Sequence, residues 1–186
     1  MTDAGAGALV TGERVFLREL AADDGPEFAR RVRESISLHH PWMEMPATLA
    51  DFDRYFSRSS SHLGNIRLNI CEVGSGVLVG GININNIVYG RFKSAAIGYW
   101  AYAGTAGRGY MSEGLRLVIR YAFGELGLHR LEANIQPTNE DSIKLVKRNG
   151  FRYEGTSPDY LFINGAGRDH ERWAITAEMV DPPVGS

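Results

Sequence analysis

The chain is poor in several features that would each assign it to a simple class. It has one cysteine, Cys71, among 186 residues, so no internal disulfide can form. The apolar run IRLNICEV around Cys71 suits a buried thiol in a reducing compartment, and no histidine or other base lies near it in sequence to make it a nucleophile. An excess of either charge is also missing. Lys plus Arg number 20 and Asp plus Glu 22, a formal net charge of −2, which leaves no global basic field to recruit nucleic acid. His39, His40, His62, His129 and His170 show no metal-ligand spacing with one another or with cysteine, so no metal is expected. No apolar run approaches the length of a membrane span, and MTDAGAGALVTG has neither the basic start nor the apolar core of a signal peptide. A cytoplasmic location, with no membrane partner and no nucleic acid, is the expectation.

What remains is 44% hydrophobic and 23% charged, a balance that suits one globular domain over 1–186, with a flexible start at 1–12 and a flexible tail at 181–186. Its organising stretch runs from Ile97 to Gly127. Ile97–Ala103 is apolar and aromatic, long enough for a strand, and stops at the turn run GTAG. From Met111 the apolar residues Leu115, Val118, Ile119, Ala122, Phe123 and Leu126 fall on one helical stripe, and Gly127 ends it. Between strand and helix lie Gly107, Arg108, Gly109 and Tyr110. Backbone N–H groups free of side-chain bulk thus sit at a helix N-terminus, where unpaired donors and the helix dipole favour an anion. No Gly-Lys-Ser/Thr triplet follows, and the three spaced glycines of a dinucleotide fingerprint are absent, so neither of those phosphate motifs fits.

Around this stretch the chain reads as strand (Arg14–Leu20), helix (from Asp23-Asp24 and Pro26 to about Ser37), an HHPWM loop, and a second helix from Thr48 to Arg58, broken by SSSHLGN. Three strands follow at Ile66–Val73, Val77–Ile84 and Ala95–Ala103, with the asparagine run Asn83, Asn85 and Asn86 marking a bulge. After the central helix come a strand (Arg130–Ile135) and a helix capped by Thr138 or Asn139 and closed by Gly150. That last helix is acidic in its first turn, with Lys144, Lys147 and Arg148 towards its end. Two strands over Phe151–Met179 then turn near Asn164-Gly165. The expectation is an α+β layered fold with a mixed, mostly antiparallel sheet of about seven strands and four helices.

The segment GRGYMSEGLRLVIRYAFGELGLHRLEANIQPTNEDSIKLVKRNGFRYEG resembles the GNAT superfamily of N-acetyltransferases, in particular the branch of Rim-type ribosomal-protein N-terminal acetyltransferases. That branch carries Gly-Lys/Arg-Gly-Tyr, a Leu-His-Arg-(Leu/Val)-Glu-Ala strand, Asn-x-x-Ser and Asn/Leu-Gly-Phe in this order. Within the superfamily's Gln/Arg-x-x-Gly-x-Gly/Ala pattern, Gly109 matches the central glycine, whereas Ala106 and Met111 depart from it. The resemblance implies that the fourth and fifth of the expected strands are splayed and that acetyl-CoA lies between them. Its pantetheine would contact Tyr99, Trp100, Ala101 and Asn139, and its diphosphate Gly107, Arg108, Gly109, Tyr110, Met111 and Ser112. An ordinary helix-cap role for Asn139 stands beside that reading.

The resemblance further implies direct acetyl transfer to an amine, most simply a protein N-terminus. Ser142 would lie near the leaving thiolate and could donate its proton; the tyrosine many GNAT proteins carry four residues later is Val146 here, so Ser142 or a water replaces that acid or the thiolate leaves without one. An ammonium has no lone pair, so a base is needed; Glu154 matches a glutamate that Rim-type enzymes turn towards the acceptor, with His170, Tyr160 and Glu72 as other candidates. A Pro-Trp segment such as Pro41-Trp42 borders the acceptor pocket in that branch, and a core plug is its plain alternative. Homodimers are common there as well. A small amine acceptor, another acyl donor such as succinyl-CoA, and a non-catalytic CoA-binding sensor remain the rival readings.

Overall fold

The computed structural model describes residues 7–59 and 64–180. Its strands are Ala8–Thr11 (β1), Val15–Glu19 (β2), Ile66–Glu72 (β3), Leu78–Val88 (β4), Ser94–Ala101 (β5), Arg130–Ile135 (β6), Arg152–Ile163 (β7) and Ala166–Thr176 (β8). Its helices are Gly25–Glu34 (α1), Ile36–His39 (α2), Leu49–Phe56 (α3), Tyr110–Gly124 (α4) and Glu140–Arg148 (α5). The strands form one sheet of eight, ordered β1-β2-β3-β4-β5-β6-β8-β7. Only β5 and β6 pair in parallel, and the long connection between them carries α4, as a parallel crossover requires.

Side chains alternate across the sheet, and both faces are covered. Val15 and Leu17 of β2 join the larger core under α4, with Leu115, Val118, Ile119 and Ala122 of the predicted stripe. Phe16, between them, joins Phe28, Val32, Phe52, Cys71, Trp100 and Tyr102 in a second core beneath α1 and α3. α4 lies close to the sheet at Gly114, where a Cβ would come within 2.6 Å of Ile70. The residues that make α3 a helix are visible in its cap: Thr48 Oγ1 accepts from the Asp51 N–H.

The counts differ from the sequence reading in two places. Residues 8–11, read as part of a flexible start, form β1 and pair antiparallel with β2, so seven strands become eight. The first helix breaks at Ser35, so four helices become five. The fully buried Ser35 hydroxyl donates to the Arg31 carbonyl and accepts from the Ala103 N–H at 2.9 Å, a side-chain competition that bends the chain. The asparagine bulge is present as a register shift between Asn85 and Val88. Residues 1–6, the tail at 181–186 and residues 60–63 of the SSSHLGN break, His62 among them, lie outside the described residues. Among the described residues no helix is long and apolar enough to cross a membrane.

Candidate active site

The parallel pair β5–β6 is short. It runs from Ser94–Arg130 to Ile97–Ala133 and then stops, while β5 continues against β4 to Ala101 and β6 against β8 to Ile135. The edge of β5 from Gly98 to Ala101 therefore has no strand partner on that side, and its outward-pointing backbone groups other than the Ala101 carbonyl are open to a ligand. A cavity of about 530 Å³ fills the gap, lined by Tyr99, Trp100 and Ala101, by the turn before α4, and by Asn139 and Ser142 at the start of α5. A smaller one, about 90 Å³, shares Trp42, Met43, Tyr99, Asn139 and Ser142 with it and adds His170. Trp42 thus borders both spaces.

The turn is shaped for an anion. Gly107 and Gly109 hold left-handed φ angles of +76° and +83°, and Gly109 is the N-cap of α4 without any side-chain cap bond, so the first N–H groups of α4 are unclaimed by a cap. Arg14, between β1 and β2, braces the turn: its Nη1 donates to the Arg108 carbonyl at 3.0 Å, and its guanidinium lies 4.5 Å over the Tyr110 ring. The Tyr110 hydroxyl donates to Glu72, and the Ser112 hydroxyl turns inward, accepting from Arg116 and Asn149. Of the expected diphosphate residues, Gly107, Gly109, Tyr110, Met111 and Ser112 line the larger cavity and Arg108 does not. Two cations of α5 line the cavity instead: Lys144, which pairs with Glu140 and Asp141, and Arg148. Their spacing of four on one helix face was readable in sequence, where it looked like ordinary dipole compensation.

Ser142 and Tyr99 meet at the gap: the Tyr99 hydroxyl lies 2.6 Å from Ser142 Oγ, and burial pushes the Tyr99 pKa well up, so its proton is held. Asn139 Oδ1 accepts from the Ser142 N–H at 3.2 Å, which makes Asn139 the α5 cap while its residue also lines both cavities. Val146, where a hydroxyl might have been sought, is fully buried in the larger core. The carbonyl of Ala101 already accepts from His39 Nε2 at 2.9 Å. His39 Nδ1 is consequently left buried without a partner, and burial lowers the His39 pKa, so the ring is neutral.

The structure does not bring Glu154 to either cavity. It stands at a register shift between Tyr153 and Gly155, accepting from Nη1 and Nη2 of Arg130 and from Arg152 Nε. Those bonds, Arg130 foremost, lower its pKa to about 2. The pair opens an ion ladder across the sheet: Arg130 also holds Glu132 at 2.9 Å, Glu132 takes Arg172 Nη2 at 2.5 Å, and Arg172 lies 4.6 Å over the Tyr160 ring. Tyr160 in turn packs against His170, ring centroids 5.9 Å apart.

A family model described as the acetyltransferase (GNAT) domain matches residues 14–152. The chain belongs to the GNAT acetyltransferase family. YoaA of Bacillus subtilis, named an uncharacterized N-acetyltransferase, is 32% identical to this GNAT chain over 166 residues, 88% of this chain and 93% of YoaA. The ribosomal protein uS5-alanine N-acetyltransferase of Escherichia coli is 39% identical over 99 residues, 53% of this chain and 51% of that enzyme. The chain spans about half the length of the curated relatives that it matches at 39% to 40% identity. Mycobacterium smegmatis RimJ, solved in complex with CoA-disulfide, shares the GNAT fold with a TM-score of 0.83 at 29% identity, over 90% of this chain and 84% of that one.

Proposed function

We propose that this GNAT chain is an acyltransferase that moves an acetyl group from acetyl-CoA directly to an amine, and that the amine is a protein N-terminus. The observation that carries the transfer is the unpaired edge of β5 meeting an uncapped glycine turn at the start of α4 in one cavity. An extended pantetheine can complete that edge with amide hydrogen bonds, and a diphosphate can accept from the helix N-terminus while Lys144 and Arg148 balance its charge. Backbone N–H groups at the open edge then lie where a thioester carbonyl develops negative charge. The Ser142 hydroxyl, held by Tyr99, faces the place where the thiolate leaves.

The acceptor class follows from charge. Asp141 is the one carboxylate among the described residues that line either cavity, and it is fully solvated at the α5 start. A polyamine or aminoglycoside would meet few counter-charges there, whereas an α-amine, with a pKa near 8, is partly neutral at physiological pH and needs little stabilisation as a cation. Exposed Leu161 and Phe162 follow Tyr160 on the outer half of the β7–β8 hairpin, and Asn164 in its turn bonds to the Pro41 carbonyl beside Trp42. They offer contact to residues that trail an N-terminus. The resemblance to RimJ and to the uS5-alanine enzyme supports the same class.

The test is calorimetry with acetyl-CoA, coupled to a free-thiol release assay against peptides with varied N-termini and against polyamines and aminoglycosides. Binding with peptide-dependent release is the expected result. Release with polyamines alone would overturn the acceptor class, binding without release would favour a CoA sensor, and absence of binding would reduce the 107–112 turn to a connection.

A further inference from the structure

We infer that His170 is the catalytic base that takes the proton from the incoming amine, a reading that rests on the acetyl transfer proposed above. Three histidines border the site: His40 is exposed and lines only the larger cavity, and hydrogen bonding separates His39 from His170. His39 sits with its donor on the Ala101 carbonyl and its other nitrogen sealed away from any partner; a lone pair that no substrate can reach does no proton transfer. His170 has the opposite arrangement. Its Nδ1 lies 2.8 Å from the Arg168 carbonyl, and since a carbonyl only accepts, Nδ1 carries the hydrogen and Nε2 keeps the bare lone pair. Nε2 has no partner among the described residues, yet it is not among the sealed unpaired atoms, and the residue, itself buried, lines the smaller cavity with Tyr99, Asn134 and Ser142.

The surroundings fix the ring. Tyr160 of β7 packs on His170, and Ser157 lies opposite it in register. Tyr99 reaches the same cavity from β5, and Asn134 and Gln136 reach it from β6 and the turn after it. The charged residues around it on β8 have partners of their own: Arg172 lies on the Tyr160 ring and pairs with Glu132, Asp169 accepts from the Asp159 N–H, and Glu171 accepts from Trp173 Nε1. No carboxylate lines the cavity beside it among the described residues, so no other group there competes for the ammonium proton.

The step balances as follows. The amine enters as an ammonium and gives one proton to Nε2, and the imidazolium so formed keeps its Nδ1–H on Arg168 and returns the proton to solvent. The freed nitrogen lone pair forms the bond to the thioester carbonyl carbon, and the bond from carbon to sulfur breaks. The second nitrogen proton reaches the sulfur through the Ser142 hydroxyl, so ammonium and thioester become amide, thiol and one proton.

The informative variant is His170→Asn, because an asparagine Nδ2 can occupy the Nδ1 place and keep the bond to the Arg168 carbonyl while Nε2 is removed. Thiol release by the unaltered protein is read first; no release with any amine would overturn the transfer reading and this one together. Where release occurs, the variant should lower kcat by about 10²- to 10⁴-fold, the range for a positioned base, with acetyl-CoA affinity and melting temperature little changed. The acidic limb of kcat/KM against pH should disappear. Turnover close to the unaltered level with that limb retained would overturn the base and leave the transferase standing. Loss of acetyl-CoA affinity together with turnover would also overturn it, marking His170 as a structural residue. Should His170→Asn fail to fold, His170→Gln is read by the same criteria.

Discussion

Replacing Tyr99 with phenylalanine removes a single buried oxygen, and the site makes its effect calculable. The hydroxyl lies 2.6 Å from Ser142 Oγ, and burial raises its pKa, so Tyr99 keeps its proton across any practical assay pH and the bonded pair holds Ser142 beside the leaving sulfur. A hydrogen bond whose partner becomes charged is worth about 1.5–3 kcal/mol, and tenfold in rate is about 1.4 kcal/mol. The expected fall in kcat is therefore roughly ten- to 150-fold. The aromatic ring stays in the wall of the cavity, so acetyl-CoA affinity measured by calorimetry should hold. A double-mutant cycle decides the route: in a Ser142→Ala background the Tyr99→Phe change should have little further effect, since the two hydroxyls act as one unit. The same loss of kcat in both backgrounds would refute the coupling, and an unchanged kcat in the single variant would refute the role of the pair.

Two further outcomes follow from groups outside the cavity. Glu154→Gln should leave kcat and KM in place and instead lower stability. A carboxyl whose folded pKa is depressed lends stability above its ordinary value, lost as pH falls through the folded one, so the melting-temperature gap to the parent should be full at neutral pH and close as pH drops from 4.5 towards about 2; a specific loss of turnover would refute its placement away from the acceptor. Burial pushes the Cys71 thiol up to about 11, so at pH 8 its alkylation should be much slower than that of a free thiol, and rapid labelling of the folded protein would refute the packing of the second core.

Much of the fold was legible because local signals agreed with the tertiary answer. The α4 stripe, the cap and charge gradient of α5 and the turn at Asn164-Gly165 are all written in short stretches of sequence. The break at Ser35 was not, since it depends on the Ala103 N–H, 68 residues away. Glu154 entered only as what the resemblance implies; in the structure it stands at the shift between Tyr153 and Gly155, beside an arginine on a different strand and outside both cavities. The glycine turn was readable from its residues, but the parting of β5 from β6 came from family resemblance alone. His170 was one of three further base candidates; what singles it out, a carbonyl on one ring nitrogen and a cavity that the buried residue lines, is a property of the folded chain.

The short β5–β6 pairing also bears on how the molecule unfolds. Five strands on one side and three on the other are joined in the sheet by four residue pairs, Ser94–Arg130 to Ile97–Ala133. Cooperativity between the two parts passes through that narrow seam and through the helices laid across it. Amides of the open stretch from Gly98 to Ala101 that face the gap are thus the ones to exchange with deuterium soonest among the central strands. A ligand arm that occupies the gap acts as a removable strand, slowing that exchange and raising the melting temperature in proportion to the logarithm of its concentration.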